Sequence, residues 1–450
     1  MKEYVKKNYE YIGYISILLA IGAVFFFFIG ERGYILENDS EFFLGENKVY
    51  QYIVYPYFLK CCQYIFGENH YLQYVSNIQG LISLWVCLLT TEYFRKTYKL
   101  SYVWSGLIFV CTFGPYAYSL PQYVSSHSIM TEGLAFPLFY LWMLCVLQIY
   151  LKKKNIWFLP LFIVTLIMAY TRTQLMLFFI VCFIIVLERT VSFIYGKINE
   201  NSKRIFINLC ILIGVIGIVI GIKVFLLFIE HNIYPQMTDA VAGRVFCAVE
   251  QSDVELFEGK DRELFLGIYS EIEQMETRQV YFRTGIRQWE DIANATNENT
   301  KLLGNIIRPY YPEIETTELN DVKGKLAYAM LLEHWDNYLV MTLSLLLQSL
   351  VVSIFVHPES AYVCGYVIAI LLYLFGMVSV VWGKKKYHID NEYIIPLLIT
   401  FGVILLITSV TNILFMGLQR YVVYPFGYFY ISLVVLYYEI IRKKRDNCKR

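Results

Sequence analysis

The sequence predicts an all-α polytopic membrane protein with about 10–12 transmembrane helices, and two observations carry that prediction. Hydrophobic residues make up 57% of the 450 residues and charged residues 17%, whereas soluble domains carry about a quarter charged residues. The charges are also segregated between apolar runs that are long enough to cross a hydrocarbon core of about 30 Å. The net charge of +1 gives no basic field, so we expect no nucleic-acid partner.

The apolar runs are interpreted as helices because backbone groups in lipid must be satisfied within their own segment. The first run follows three lysines and ends at Glu31, without the short core and small-residue site of a cleaved signal, and is expected to be an uncleaved span. The runs cover residues 11–30, 72–92, 102–120, 129–151, 156–171, 175–195, 205–229, 337–356, 361–382, 394–415 and 422–441.

Lysine and arginine in short loops set the orientation, because such loops stay in the cytoplasm. The N-terminus and the loops after runs 2, 4 and 6 are basic, which makes residues 31–71, 118–128, 171–174 and 230–336 extracytoplasmic. The two basic clusters of the C-terminal part also indicate a cytoplasmic location. With a cytoplasmic N-terminus, an odd number of spans would place the C-terminus on the other side of the membrane. We therefore expect an even number, ten or twelve.

Three domains follow from this pattern. Residues 1–229 are predicted to form a seven-helix transmembrane module with its first outer loop at 31–71, and residues 337–450 a C-terminal transmembrane module. Residues 230–336 carry charges throughout, with amphipathic stretches such as 264–275, and are predicted to be a helical extracytoplasmic domain.

The first outer segment contains three carboxylates within five residues, Glu37, Asp39 and Glu41. The following stretch 49–59 is too short to span and is interrupted by Pro56, so we expect it to lie along the membrane interface. The acids are either a solvated loop or an acidic motif held against the membrane surface.

His127 and Glu132 lie at the outer start of the fourth run, on the same predicted face. A charge near the hydrocarbon usually faces a bundle interior or a polar cavity. A carboxylate at a helix N-terminus is also favoured by the helix dipole alone, and both interpretations stay open.

Arg172 and Arg420 are lone arginines in short turns within apolar surroundings. The guanidinium fork suits phosphate oxygens, although each side chain could simply snorkel to the lipid headgroups. Together with the acids, they suit transfer chemistry on a phosphate-bearing, lipid-borne substrate.

In its order of motifs the chain resembles the GT-C superfamily of polytopic glycosyltransferases, which includes protein O-mannosyltransferases and the aminoarabinose transferases of lipid A. The resemblance covers the first seven runs well and the remainder loosely. The motifs that carry it are 38–42 (Asn-Asp-Ser-Glu-Phe), 54–56 (Val-Tyr-Pro), 128–132 (Ser-Ile-Met-Thr-Glu) with Pro137, 170–173 (Tyr-Thr-Arg-Thr) and Arg420-Tyr421 with Pro425.

The resemblance implies an inverting transfer of a sugar from a polyprenyl-phosphate donor to a glycan, lipid or protein acceptor at the extracytoplasmic face of the cell membrane. Asp39 would be the general base, with Glu41 as the open alternative. Arg172 or Arg420 would stabilise the donor phosphate. Glu132 would belong to the catalytic set with these acids and, like His127, would orient the acceptor or Asp39. Asn38 would also help to orient the acceptor.

We expect no cofactor, because the activated donor supplies the energy and the sequence contains no phosphate-binding Gly-rich loop. Some relatives use a divalent metal, which the acids could hold, but no metal site is predicted here. The ten cysteines give no pairs at zinc-ligand spacing.

Two other classes of protein compete with a glycosyltransferase. A transporter or flippase for a lipid-linked or polar substrate would also carry buried charges, but such folds often show internal repeats, and none is visible here. A polysaccharide polymerase or ligase would share the span number and the outer-face chemistry.

Overall fold

A computed structural model describes residues 2–30, 33–36, 40–44, 53–117, 127–152, 155–194, 236–274, 288–313, 316–354, 362–414 and 422–449. Within these ranges the regular structure is helical, apart from one isolated β-bridge between Ile35 and Ser128. The prediction of an all-α protein is therefore confirmed. The α-helices are α1 Lys2–Gly30, α2 Ser40–Leu44, α3 Val54–Phe66, α4 Tyr71–Tyr98, α5 Tyr102–Ala117, α6 Glu132–Lys152, α7 Phe158–Thr171, α8 Phe178–Ile194, α9 Gln236–Val245, α10 Gly259–Gln274, α11 Gln288–Tyr310, α12 Thr316–Glu333, α13 Trp335–Val352, α14 Tyr362–Tyr387, α15 Asn391–Leu414 and α16 Phe426–Lys449.

Among the described residues, five helices are long and apolar enough to cross a membrane. This agrees with a membrane protein, whereas the number of passes and their orientation stay predictions. The apolar run at 205–229 lies outside the described residues. The five helical stretches are Tyr71–Tyr98, Glu132–Lys152, Trp335–Val352, Gly365–Tyr387 and Asn391–Ile413, and shorter apolar helices cover Tyr9–Val24, Tyr102–Phe113 and Phe158–Thr171.

The fold divides into two compact units, of which the first comprises residues 1–221, 373–402 and 424–450. Helix α6 forms much of its core, because its residues are apolar on nearly every side and most of its side chains are buried. Trp142 donates from Nε1 to Thr165 Oγ1 on α7 at 3.0 Å. Tyr428 on α16 donates from its hydroxyl to the Tyr140 carbonyl at 3.1 Å, so α6 is fixed from two sides.

Helix α3 begins at Val54, within the predicted interfacial stretch 49–59. Pro56 lies within its first turn, where the missing amide hydrogen costs no helical bond. Tyr55 and Leu59 are buried together with Ile129 in one apolar cluster, while Tyr64 on the opposite side is exposed. The helix therefore packs against the chain just before α6.

The second unit comprises residues 222–372 and 403–423. Its helices α9 to α12 enclose an apolar core, and α10 contributes the periodic residues of the predicted amphipathic stretch. The predicted boundary at 336 falls inside this unit, because α13 belongs to it, and the division into three domains stays a prediction. The core includes Ala242, Phe246, Leu264, Phe265, Ile268, Ile272, Leu303, Ile307, Leu326 and Met330.

Two polar contacts join these helices to α13 and α15. The buried Arg244 on α9 donates from Nη1 to Thr342 Oγ1 at 3.1 Å and to the Asn412 carbonyl at 2.8 Å. Asp253 accepts from His334 Nε2 at 2.9 Å and from the Glu250 amide at 2.6 Å. Both contacts hold the helical segment to the membrane helices of its own unit.

Candidate functional site

The candidate site lies at the N-terminal end of α6, where the first outer segment runs beside residues 127–131. The Ile35 amide donates to the His127 carbonyl at 2.9 Å, and the Ile129 amide donates to the Ile35 carbonyl at 2.9 Å. Ser40, the first residue of α2, donates from Oγ to the Ile129 carbonyl at 2.9 Å. The chain is thus attached to the approach of α6 on both sides of residues 37–39.

Glu132, Thr131 and Arg172 form a buried polar group at this point. Arg172 Nη1 forms an ion pair with Glu132 Oε1. The Thr131 hydroxyl donates to Glu132 Oε2 at 2.9 Å and accepts from Arg172 Nη1 at 3.2 Å. Glu132 and Thr131 are each 2% exposed and Arg172 is 7% exposed. Because an isolated buried charge is very costly, each charge depends on the other.

The end of α7 brings Arg172 to this position. Helix α7 ends at Thr171, and Arg172 takes an extended backbone with φ −153° and ψ 121°. Its amide donates to the Met168 carbonyl at 2.9 Å, and its carbonyl accepts from the Leu175 amide at 2.9 Å. These two bonds fix the turn between α7 and the 3₁₀ helix Thr173–Leu177, so the arginine is held by backbone as well as by charge.

Helix α4 supports the same region through one buried side chain. Buried Gln79 donates from Nε2 to the Ser128 carbonyl at 3.4 Å. Gly133 makes room for it, because a Cβ atom at position 133 would overlap the Gln79 side-chain amide. The sequence prediction missed both residues, although an amide in an apolar run was a usable signal, since polar residues within membrane helices are rarely idle.

His127, four residues before Thr131 in the chain, is fully buried. Burial lowers the pKa of its imidazole to about 4, so the ring is neutral at pH 7. A neutral imidazole can accept a proton or a hydrogen bond without adding charge to the site. Its predicted part in orienting an acceptor stays a prediction.

Of the other predicted site residues, Asn38, Asp39 and Arg420 lie outside the described residues, as does the side chain of Glu41. The structure therefore brings together Glu132 and Arg172, with His127 in the same segment. Among the described residues no group of three or more His, Cys, Asp or Glu side chains is arranged to hold a metal ion. This absence does not extend to the acidic side chains at positions 37, 39 and 41, which lie outside the described residues.

The fold and this polar group define the class as an all-α membrane protein with a buried acid–arginine pair at a helix start. Comparison with protein-family models, with curated proteins and with solved structures finds no match for the chain. What the site does must therefore be inferred from its own chemistry.

Proposed function

We propose that the chain is an integral membrane glycosyltransferase of the GT-C kind. It would transfer a sugar from a polyprenyl-phosphate donor to an acceptor at the outer face of the membrane, with inversion. Asp39 is the assigned general base, and the reaction belongs to the synthesis of cell-envelope glycans.

The observation that carries the proposal is the attachment of the first outer segment to the start of α6. Ile35 and Ser40, which lie on either side of residues 37–39, are bonded to residues 127–129. Those residues lead directly into Glu132 and its ion pair with Arg172. A general base must be held within hydrogen-bond reach of the proton it takes, and this attachment supplies a rigid frame for one.

The reaction needs one proton transfer and one displacement. The acceptor hydroxyl gives its proton to the Asp39 carboxylate as its oxygen bonds to the anomeric carbon. The bond from that carbon to the phosphate oxygen breaks, and the electron pair leaves with polyprenyl phosphate. Because phosphate is a good leaving group, the site needs cationic stabilisation rather than a strong general acid.

The ion pair bears on the role of Arg172. Glu132 already compensates the charge of Arg172, which lowers the net attraction of this arginine for a phosphate. Either Arg172 or Arg420 is proposed to stabilise the donor phosphate. Together with Glu132, Arg172 is also assigned to positioning the segment 127–131 and the acceptor that binds beside it.

The test is the release of polyprenyl phosphate, a product common to every donor sugar and every acceptor. Membranes with equal amounts of wild type, Asp39→Asn or Glu41→Gln are supplied with a panel of polyprenyl-phosphate hexoses and pentoses. Asp39→Asn should lower the release about 10²–10⁴-fold, the usual contribution of a positioned base. Glu37→Gln is the matched control, because it removes a neighbouring carboxylate that has no assigned role.

Undiminished release from Asp39→Asn would refute the assignment of the base, and a large loss in Glu41→Gln alone would transfer that role to Glu41. A transporter or flippase would move the lipid across the membrane without ever releasing polyprenyl phosphate. That result with the wild type would refute the glycosyltransferase itself.

A further inference from the structure

One face of α12 changes from charged to apolar before the chain reaches the membrane helix α13. On this face Glu318, Asp321 and Lys325 are exposed. From residue 328 onward the exposed side chains at helical spacing are large and apolar. This apolar set, called the 328–343 stripe below, consists of Tyr328, Leu332, Trp335, Leu339 and Leu343.

The stripe is not the inward face of α12. Leu326 and Met330 fill that role and are buried in the core of the helical segment. Tyr328, Leu332 and Trp335 are 65%, 61% and 63% exposed. Contiguous large apolar groups on a surface mark a site that another phase or partner covers.

The stripe continues from one helix into the next. The His334 amide donates to the Met330 carbonyl at 2.9 Å, and the Tyr338 amide donates to the His334 carbonyl at 3.0 Å. Two backbone hydrogen bonds therefore span the junction between α12 and α13, where His334 has φ −110° and ψ 34°. Because residues three and four apart lie on one helix face, Tyr328 and Leu332 share a face of α12. Trp335, Leu339 and Leu343 share a face of α13, and the two sets follow each other along the chain across His334.

The α13 part of the stripe has an identifiable occupant. Trp335–Val352 is long and apolar enough to cross a membrane, so its exposed Leu339 and Leu343 face lipid. A surface continuous with that one, and lined by tyrosine and tryptophan, has the composition of a membrane interface. Glu333 and Asp336 lie close to Trp335 in the chain and are exposed. Because exposed charges avoid the hydrocarbon, this part of the chain stays in the polar headgroup layer.

We infer that the last two turns of α12 lie in the lipid headgroup layer, with the water boundary between Lys325 and Tyr328. From Tyr328 to Trp335 a helix rises about 10 Å. This rise is comparable to the depth of the headgroup layer if the helix axis is tilted from the membrane normal. The helical segment 236–333 is then seated on the bilayer through α12. This inference does not depend on the enzymatic activity.

The test is quenching of tryptophan emission in liposomes of phosphatidylcholine brominated close to the glycerol backbone. The emission of Trp335 is obtained by subtracting the spectrum of Trp335→Phe from that of the full-length wild type. In the Trp335→Phe background, Tyr328→Trp reports on the stripe. Asp321→Trp is the matched control, since it lies on the same face beyond the proposed boundary.

We expect the emission from positions 335 and 328 to lose most of its intensity in brominated lipid, and that from position 321 to stay unchanged. Aqueous iodide should give the reverse order. Size-exclusion profiles and thermal midpoints confirm that each variant is folded, and Glu318→Trp replaces Asp321→Trp if the latter is not.

Three outcomes would overturn the inference. If iodide but not brominated lipid quenches positions 335 and 328, the stripe faces water. If neither quencher reaches them, a second copy or another protein covers the stripe. Equal quenching by lipid at 321 and 328 would remove the boundary between Lys325 and Tyr328.

Discussion

The ion pair between Glu132 and Arg172 offers the sharpest test of the site, through a double-mutant cycle. Glu132→Gln leaves a buried guanidinium without its carboxylate, and Arg172→Met leaves a buried carboxylate without its cation. Removing one partner of a buried pair costs about 3–5 kcal/mol. The double variant leaves no buried charge and loses mainly hydrogen bonds with Thr131, at about 1 kcal/mol each.

The double variant should therefore be more stable than either single variant, although it carries one more substitution. The assay is the thermal unfolding midpoint of the four proteins in lipid nanodiscs at pH 7. The matched control is the exposed pair of Lys325 and Asp261, where Lys325→Met should leave the midpoint unchanged because exposed pairs contribute little.

An additive cycle would refute the reasoning. If the double variant loses as much stability as the two single variants together, the two charges do not depend on each other. Release of polyprenyl phosphate separates stability from function. A double variant with recovered stability and low release indicates that the pair also positions substrate, whereas full release would limit the pair to a structural part.

Two further predictions concern buried polar groups. The pKa of His127 is about 4 in the folded protein, against an ordinary 6.5. As the pH falls, the unfolded chain therefore takes up a proton before the folded protein does. The contribution of His127 to the free energy of unfolding is complete above pH 6.5 and falls as the pH drops toward 4. In His127→Gln the thermal midpoint should lose that part of its pH dependence, and an unchanged profile would contradict the assignment. Gln348 on α13 is buried, and neither atom of its amide has a hydrogen-bond partner among the described residues, so Gln348→Met should raise stability by removing a desolvation cost of about 1–3 kcal/mol. A lower midpoint would instead indicate that the amide binds a group such as an ordered water.

Among the described residues, helices were predictable from sequence where a long apolar run is present. The run at 129–151 corresponds to Glu132–Lys152, and the run at 361–382 to Tyr362–Tyr387. The second helix continues through Lys384–Lys386 because lysine is a good helix former, whereas a hydropathy pattern stops at the first charges. Hydropathy locates the lipid-facing length of a helix better than its ends.

Contacts between segments that are far apart in the sequence could be predicted much less well. Glu132 and Arg172 were both singled out, but only as neighbours on one predicted face, and their direct contact follows from the turn at the end of α7. The bridge between Ile35 and Ser128 leaves no pattern in the sequence, because two or three residues of extended chain have no detectable period. Arg244 was overlooked for a related reason, since its partners at 342 and 412 are far away along the chain.

The bridge at Ile35 also fixes when the site can form during biosynthesis. The hydrogen bond from Ser40 to Ile129 joins residues 89 positions apart, and the one from Arg172 to Thr131 adds a further separation of 41. A growing chain therefore makes α1 to α5 before residues 127–129, the partners of Ile35 and Ser40, exist. It acquires Arg172, the partner of Glu132, only after α7 has been synthesised. Any chain that terminates before residue 172 lacks the cation of the buried ion pair.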